Sequence, residues 1–174
     1  MRESNCTLSP KILQEFEIFS TLSLEEIEQF CRIITPLQFN KGELIIVEGE
    51  IGDSILILLD GEVEITQALT LKTDQVQTDL REKSLIHLSS QKRPFFGEMG
   101  LFSDDYKRSA NVKAVSVCEI GKVAKHDFFR ICDSYPQIGN KVMQNVAKVL
   151  TRRLKQTNQN VLKLTTAFSL ILES

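Results

Sequence analysis

The chain has no tryptophan and only two histidines and two tyrosines among 174 residues. His87 and His126 alone fall short of the three or four ligands that metal enzymes use. Four cysteines, Cys6, Cys31, Cys118 and Cys132, match no zinc or redox spacing and read as free, mostly buried thiols. No apolar run approaches the ~20 residues of a membrane span, and no charged-then-apolar leader opens the chain. A cytoplasmic protein is therefore expected. Charge of one sign is lacking too: 21 basic residues face 23 acidic ones, with a pI near 5.8. That balance gives no basic footprint for nucleic acid. What remains, 42% hydrophobic and 25% charged residues, is the make-up of a globular protein with one substantial core.

Residues 1–8 carry no periodicity. Ser9-Pro10 opens a helical turn or two over 11–19, with proline where its missing N–H costs nothing. Ser23 stands three residues before Glu26 as a capping box. Leu24, Ile27, Cys31 and Ile34 follow at helical spacing, which predicts a helix over 24–34 ended by Pro36. From residue 37 to about 120 the period falls to two. Gly42, Gly49, Gly52 and Gly61 punctuate short apolar runs at 45–47, 55–59 and 63–66. Further strands are predicted at 84–88, 112–117 and 118–123. The polar stretch 67–83 reads as an extended hairpin tip or exposed loop. Such regular short strands with glycine turns predict an antiparallel sandwich or barrel. A short helix at Lys125–Ser134 ends at Tyr135-Pro136, and a long helix begins there.

In that helix Met143, Ala147, Leu150, Leu154, Thr157, Val161, Leu164 and Phe168 are spaced alternately four and three apart. This is a heptad seam, able to face a copy of itself. A second row, Val142, Val146 and Val149, widens the first half only, so that half is expected to pack on its own domain. No Gly or Pro interrupts 141–174, about 50 Å of helix. A parallel two-fold homodimer through residues 143–168 is the expected use. Thr157 is the polar seam position, followed by Asn158. It either sets register or faces a polar ligand.

The densest chemistry lies at 95–112. Phe95-Phe96 leads to Gly97, Glu98, Met99, Gly100 and Leu101, and ten residues after Glu98 stands Arg108, then Ser109 and Ala110. Small residues with one acid and one arginine predict an anion cradle built largely from backbone N–H groups. Arg108 can fork two phosphate oxygens, which a lysine does less well. Glu98, acceptor-only when ionised, suits a hydroxyl and would repel phosphate. Ordinary readings compete: Arg108 as a surface arginine paired with Asp104 or Asp105, and Glu98 as a helix-start acid.

The order of helices, strand-rich roll, Gly-Glu-x-x-Leu, Arg-Ser-Ala and a long terminal helix resembles the cyclic-nucleotide-binding domain family. It is most similar to the sensor half of the bacterial cyclic AMP receptor protein group (Crp/Fnr). The resemblance spans roughly residues 10–168. It implies an α+β, mainly β, fold: an antiparallel β-roll (double-stranded jelly roll) with N-terminal helices and a long C-terminal dimerisation helix. The implied divisions are a helical segment at 1–36, the roll at 37–124 with its phosphate-binding cassette at 96–112, and C-terminal helices at 125–174, with the dimerisation helix at 137–170. The implied ligand is cyclic AMP, with cyclic GMP open. Its site residues are Gly97, Glu98, Met99, Gly100, Leu101, Arg108, Ser109 and Ala110. Thr157 would touch the base from the same subunit and Asn158 from the other. Ile65, Leu85 and Ile86 are candidate walls for the purine. Arg152 and Arg153 are read as cover for the helix flank.

Two departures stand out. Arg93-Pro94 replaces the Gly-acid pair the family places before its cassette phenylalanine, and the loop at 67–83 is longer. With so few residues after Phe168, no DNA-reading domain fits, nor a kinase, cyclase or channel segment. A non-enzymatic, free-standing sensor without direct DNA or membrane contact is expected, its downstream partner unnamed by the sequence. The competing function is a scaffold or dimerisation protein with a vestigial pocket. A metal enzyme of the cupin type lacks its ligands.

Overall fold

A computed structural model describes residues 8–69, 81–102 and 107–172. Helix α1, Pro10–Gln14, carries its proline in the first turn, and a 3-10 turn follows at Glu17–Phe19. Helix α2, Leu24–Cys31, shows both bonds of the capping box: Glu26 N–H donates to Ser23 Oγ at 3.2 Å and Ser23 N–H to Glu26 Oε2 at 2.8 Å. It stops three residues short of the predicted end. Ile34 belongs instead to strand β1, Ile34–Phe39, and is buried there. Both patterns fit Ile34 locally, and pairing with a distant strand decided between them. Pro36 is tolerated because β1 is an edge strand, where a missing N–H leaves no ladder bond unmade.

The remaining strands are β2 Leu44–Ile46, β3 Ser54–Asp60, β4 Glu62–Leu69, β5 Arg81–Ser89, β6 Phe95–Phe96, β7 Asn111–Ala114 and β8 Cys118–Ala124. They form two antiparallel four-stranded sheets, ordered β1-β8-β3-β6 and β2-β7-β4-β5. The predicted strand at 112–117 is thus shorter and starts one residue earlier. Strands β4 and β5 extend into the predicted loop as a paired ribbon as far as Leu69 and Arg81. Residues 70–80 of that loop lie outside the described residues, as does Cys6. Cys31, Cys118 and Cys132 are free thiols, and burial pushes Cys132 up to about 11, so it stays protonated at neutral pH.

Strand β3 organises both cores. Ile55, Ile57 and Leu59 face a cluster shared with the helices, while Leu56 and Leu58 face the second sheet. A strand buried on both faces reads as a continuous apolar run, and Ser-Ile-Leu-Ile-Leu-Leu is one. The helical layer is completed by α4, Lys125–Ser134, and α5, Pro136–Leu172, with a four-residue α3, Met99–Phe102, inside the roll.

Helix α5 is used in two ways. Its first half buries Ile138, Val142, Val146 and Val149, the row expected to pack on its own domain. Buried Asn145 donates to Ile18 O at 3.2 Å and Thr21 Oγ1 at 2.9 Å, and Lys141 Nζ reaches Glu26 at 2.7 Å, tying α5 to the N-terminal segment. Beyond Leu150 no described residue of α5 is buried, and the seam residues Leu154, Val161, Leu164 and Phe168 are each more than half exposed.

Between β3 and β4 the chain turns at Gly61 with φ +90°, where a Cβ would lie 2.3 Å from Val117 O. Both the dihedral and the space demand glycine. Gly61→Ala is expected to cost about 2–3 kcal/mol through strain and clash, read as a lower urea midpoint with an unchanged slope.

Candidate functional site

Strand β6 is clamped on both faces, Phe95 in the helical cluster and Phe96 between the sheets. It delivers the chain to Gly97, whose φ of +80° makes the turn into Glu98 and α3. Residues 103–106 lie outside the described residues. The chain resumes at Lys107, bridged to Ile51.

Arg108 then runs into the fold with only 9% of its surface exposed. Nη1 donates to Ser54 O at 3.0 Å and Gly97 O at 2.8 Å, and Nη2 to Ser54 Oγ at 3.0 Å. Its main chain is held as well: Arg108 N–H donates to Glu50 O at 2.8 Å, and Gly49 N–H donates to Arg108 O at 2.9 Å. A guanidinium has five N–H donors, so Nε and one Nη2 hydrogen have no partner among the described residues. Burial lowers its pKa, while the charges of Asp53, Glu98 and Glu50 oppose that shift. The surface reading of Arg108 fails on this burial, and Asp104 and Asp105 lie outside the described residues.

Glycine is required around this side chain. A Cβ on Gly52 would lie 2.7 Å from Arg108 Cδ and Nε, and one on Gly97 would lie 2.6 Å from Nη1. Gly100 stacks on the Gly52 backbone. Sequence reading saw Gly52 only as turn punctuation and missed Ser54. The contact follows from strand β3 passing beneath the cassette, which local spacing does not encode.

Glu98 is 3% exposed and immediately precedes α3. Its place at a helix start is real, yet its carboxylate turns to α5: Arg153 Nη1 donates to Glu98 Oε1 at 2.5 Å. Arg153 Nη2 donates to Phe95 O at 2.6 Å, and the guanidinium lies 5.3 Å from the Phe95 ring centroid. The expectation that Arg153 only covers the helix flank is therefore corrected. The signal was present: the buried row of Val142, Val146 and Val149 continues at the same helical spacing to residue 153. Arg152 does cover the outside, pairing with Glu17, whose pKa its side-chain hydrogen bonds lower.

The other anticipated residues divide. Met99 and Gly100 amides have no hydrogen-bond partner among the described residues, whereas Leu101 N–H donates to Glu98 O at 3.0 Å and its side chain joins the core. Ser109 is exposed, its Oγ 3.5 Å from Met99 Sδ, and Ala110 is half-buried beside it. Asn111 Oδ1 accepts from Glu48 N–H at 2.8 Å, closing the loop of 47–53 against the cassette. Ile65 and Ile86 stand opposite each other across β4 and β5, Ile86 the more exposed; the side chain of Leu85 is outside the described set. Thr157 and Asn158 are exposed on α5, and their side chains make no hydrogen bond among the described residues. Thr157 nonetheless lies one helical turn beyond Arg153, on the same face. No group of three or more His, Cys, Asp or Glu among the described residues could hold a metal.

The site is thus a buried arginine and an acid held from the terminal helix, set in a two-sheet roll. The family model for the cyclic nucleotide-binding domain matches residues 36–135, and the chain belongs to that family. Two relatives are the cAMP-dependent protein kinase regulatory subunit of Dictyostelium discoideum and the cAMP-activated global transcriptional regulator CRP of Pasteurella multocida. The first is 26% identical over 149 residues, 82% of this chain and 42% of the relative. The second is 32% identical over 113 residues, 65% of this chain and 47% of the relative. The chain thus spans less than half the length of both. A solved cyclic nucleotide-binding domain from Methylobacillus flagellatus shares the fold, with a TM-score of 0.73 and 21% identity over 88% of this chain and 80% of its own. The fold expected from the resemblance is therefore the one observed, long C-terminal helix included.

Removing Arg153 would strand the carboxylate of Glu98, whose side chain is 4% exposed. Arg153→Gln should lower stability by about 2 kcal/mol or more. Glu98→Gln combined with it should restore part of that loss, and a double-mutant cycle in urea reads the coupling.

Proposed function

We propose that the chain is a regulatory module that binds cyclic AMP and signals through the position of α5. The observation that carries this reading is the Arg153–Glu98 contact, which joins the anion cradle to the terminal helix. In this reading the cyclic phosphate takes the unused N–H groups of Arg108 and the Met99 and Gly100 amides. The ribose hydroxyl donates to the second oxygen of Glu98, which Arg153 holds in place. The base lies against Ile65 and Ile86 and is met by Thr157, one turn beyond Arg153. No bond is made or broken in the ligand. The module acts by the difference in its affinity for the ligand between two positions of α5.

The seam at 143–168, exposed beyond Leu150, is assigned to a parallel homodimer. Heptad geometry supports the role given to Asn158. With Ala147, Leu154 and Val161 at a and Leu150 and Thr157 at d, Arg153 falls at g and Asn158 at e. In a parallel, in-register pair a g residue faces the e residue five positions on in the partner. Arg153, and with it the cassette, would then stand beside the partner's Asn158. Ligand and dimer geometry become one linked event. Adenine is preferred here on the strength of Thr157, although a threonine hydroxyl also has groups to offer guanine.

Calorimetric titration with cyclic AMP, competed by cyclic GMP, tests the reading directly. Arg108→Ala is expected to lose at least ~2 kcal/mol of affinity, about thirtyfold, because a charge-assisted contact goes. Circular dichroism checks that the variant is folded, since Ser54 O and Gly97 O lose their donor. Unchanged affinity in a folded Arg108→Ala chain overturns the assignment. Sedimentation of the full chain reads the dimer.

A further inference from the structure

The loop of residues 47–53 lies directly against Arg108. Glu50 O accepts the Arg108 N–H, Gly52 sits under the guanidinium, and Ser54 supplies two of its acceptors. This loop is acidic, with Glu48, Glu50 and Asp53 in six residues. Among the described residues, the carboxylates whose charges act on Arg108 are Asp53, Glu98 and Glu50. Arg153 holds Glu98 at 2.5 Å, and Lys122 lies 3.6 Å from Asp53. The exposed side chain of Glu50 has no ion-pair partner among the described residues, yet its charge is among those felt by Arg108. A bare arginine in a backbone nest is a positive well that would take phosphomonoesters and polyphosphates more readily than a singly charged ring phosphate. Here an exposed carboxylate stands on the loop that holds the arginine's main chain.

We propose that Glu50 is a specificity-determining residue of the cradle, where its carboxylate discriminates a singly charged phosphodiester from doubly or more highly charged nucleotides of the same base. The inference rests on the cyclic-nucleotide reading above and deepens it. The physical basis is that a fixed charge repels a bound anion in proportion to the anion's own charge. Glu50 therefore weakens binding of a cyclic nucleotide once and of the corresponding 5′-monophosphate twice. The ring-opened monophosphate and the triphosphate precursor are thereby kept from filling the site when they are in excess. Glu50 contributes to the cradle's geometry only through its main chain, so Glu50→Gln alters charge while leaving the Arg108 N–H bond in place.

The test is titration of the full-length wild-type chain and Glu50→Gln with cyclic AMP and 5′-AMP. At pH 8 the monophosphate is fully dianionic, its second pKa being about 6. The variant is expected to gain about two- to threefold for cyclic AMP and about four- to ninefold for 5′-AMP, the second gain being near the square of the first. Both gains should shrink at high salt, where the exposed carboxylate is screened. Glu28→Gln, an exposed acid on α2 away from the cradle, should change neither affinity. Equal gains for the two nucleotides, or no gain for 5′-AMP, overturn the inference while leaving the cyclic-nucleotide reading intact. A wild-type chain that binds neither nucleotide overturns that reading, and the inference with it.

Discussion

The guanidinium of Arg108 is the point to which the site is built. Taking that charge out of water is costly unless each buried donor finds an acceptor. Ser54 O, Ser54 Oγ and Gly97 O supply acceptors for three of its five N–H groups. Those acceptors come from strand β3 and from the turn after β6, and the Arg108 main chain adds the loop at Gly49 and Glu50. Three segments, the loop at 49–50, strand β3 and the turn after β6, are therefore pinned to one residue. The same side chain explains the glycines at 52 and 97, since its atoms occupy the space a Cβ would need. The fold uses three of the arginine's five N–H groups, and the proposed recognition role rests on the other two.

Helix α5 divides its surface between two tasks. Its inner row of Val142, Val146 and Val149 makes it part of the core, and Arg153 extends that row onto Glu98. The seam still leans on the core at Met143 and Leu150 and becomes wholly exposed past Leu150. A rigid helix that touches the cassette on one face and offers an apolar seam on another can carry displacement from one to the other. Its anchorage at the base runs through Asn145 and Lys141 to the N-terminal segment, and near the cassette through one side chain, Arg153, which reaches Glu98, Phe95 O and the Phe95 ring.

Local chemistry was readable without coordinates. The capping box at Ser23 and Glu26, the alternation of Val63 and Ile65, the Gly97 to Ala110 cassette and the two rows on α5 all depend on neighbours a few residues apart, and spacing along the chain determines such neighbours. The sequence also placed Thr157 as a polar residue in an apolar seam. Where pattern and pairing competed, spacing alone could not decide. Ile34 suits the end of a helix and the start of a strand equally, and only its pairing opposite Val123 selects the strand. Arg108 and Ser54 are separated by 54 positions, and Arg153 and Glu98 by 55. Nothing in their local surroundings announces those contacts, because they exist only once β3 runs under the cassette and α5 crosses it. The sequence by itself determined which residue types stand at the cradle and how far apart. Tertiary structure decided which of their bonds the fold consumes and which it leaves unmade, because burial and long-range pairing are properties of the assembled layers.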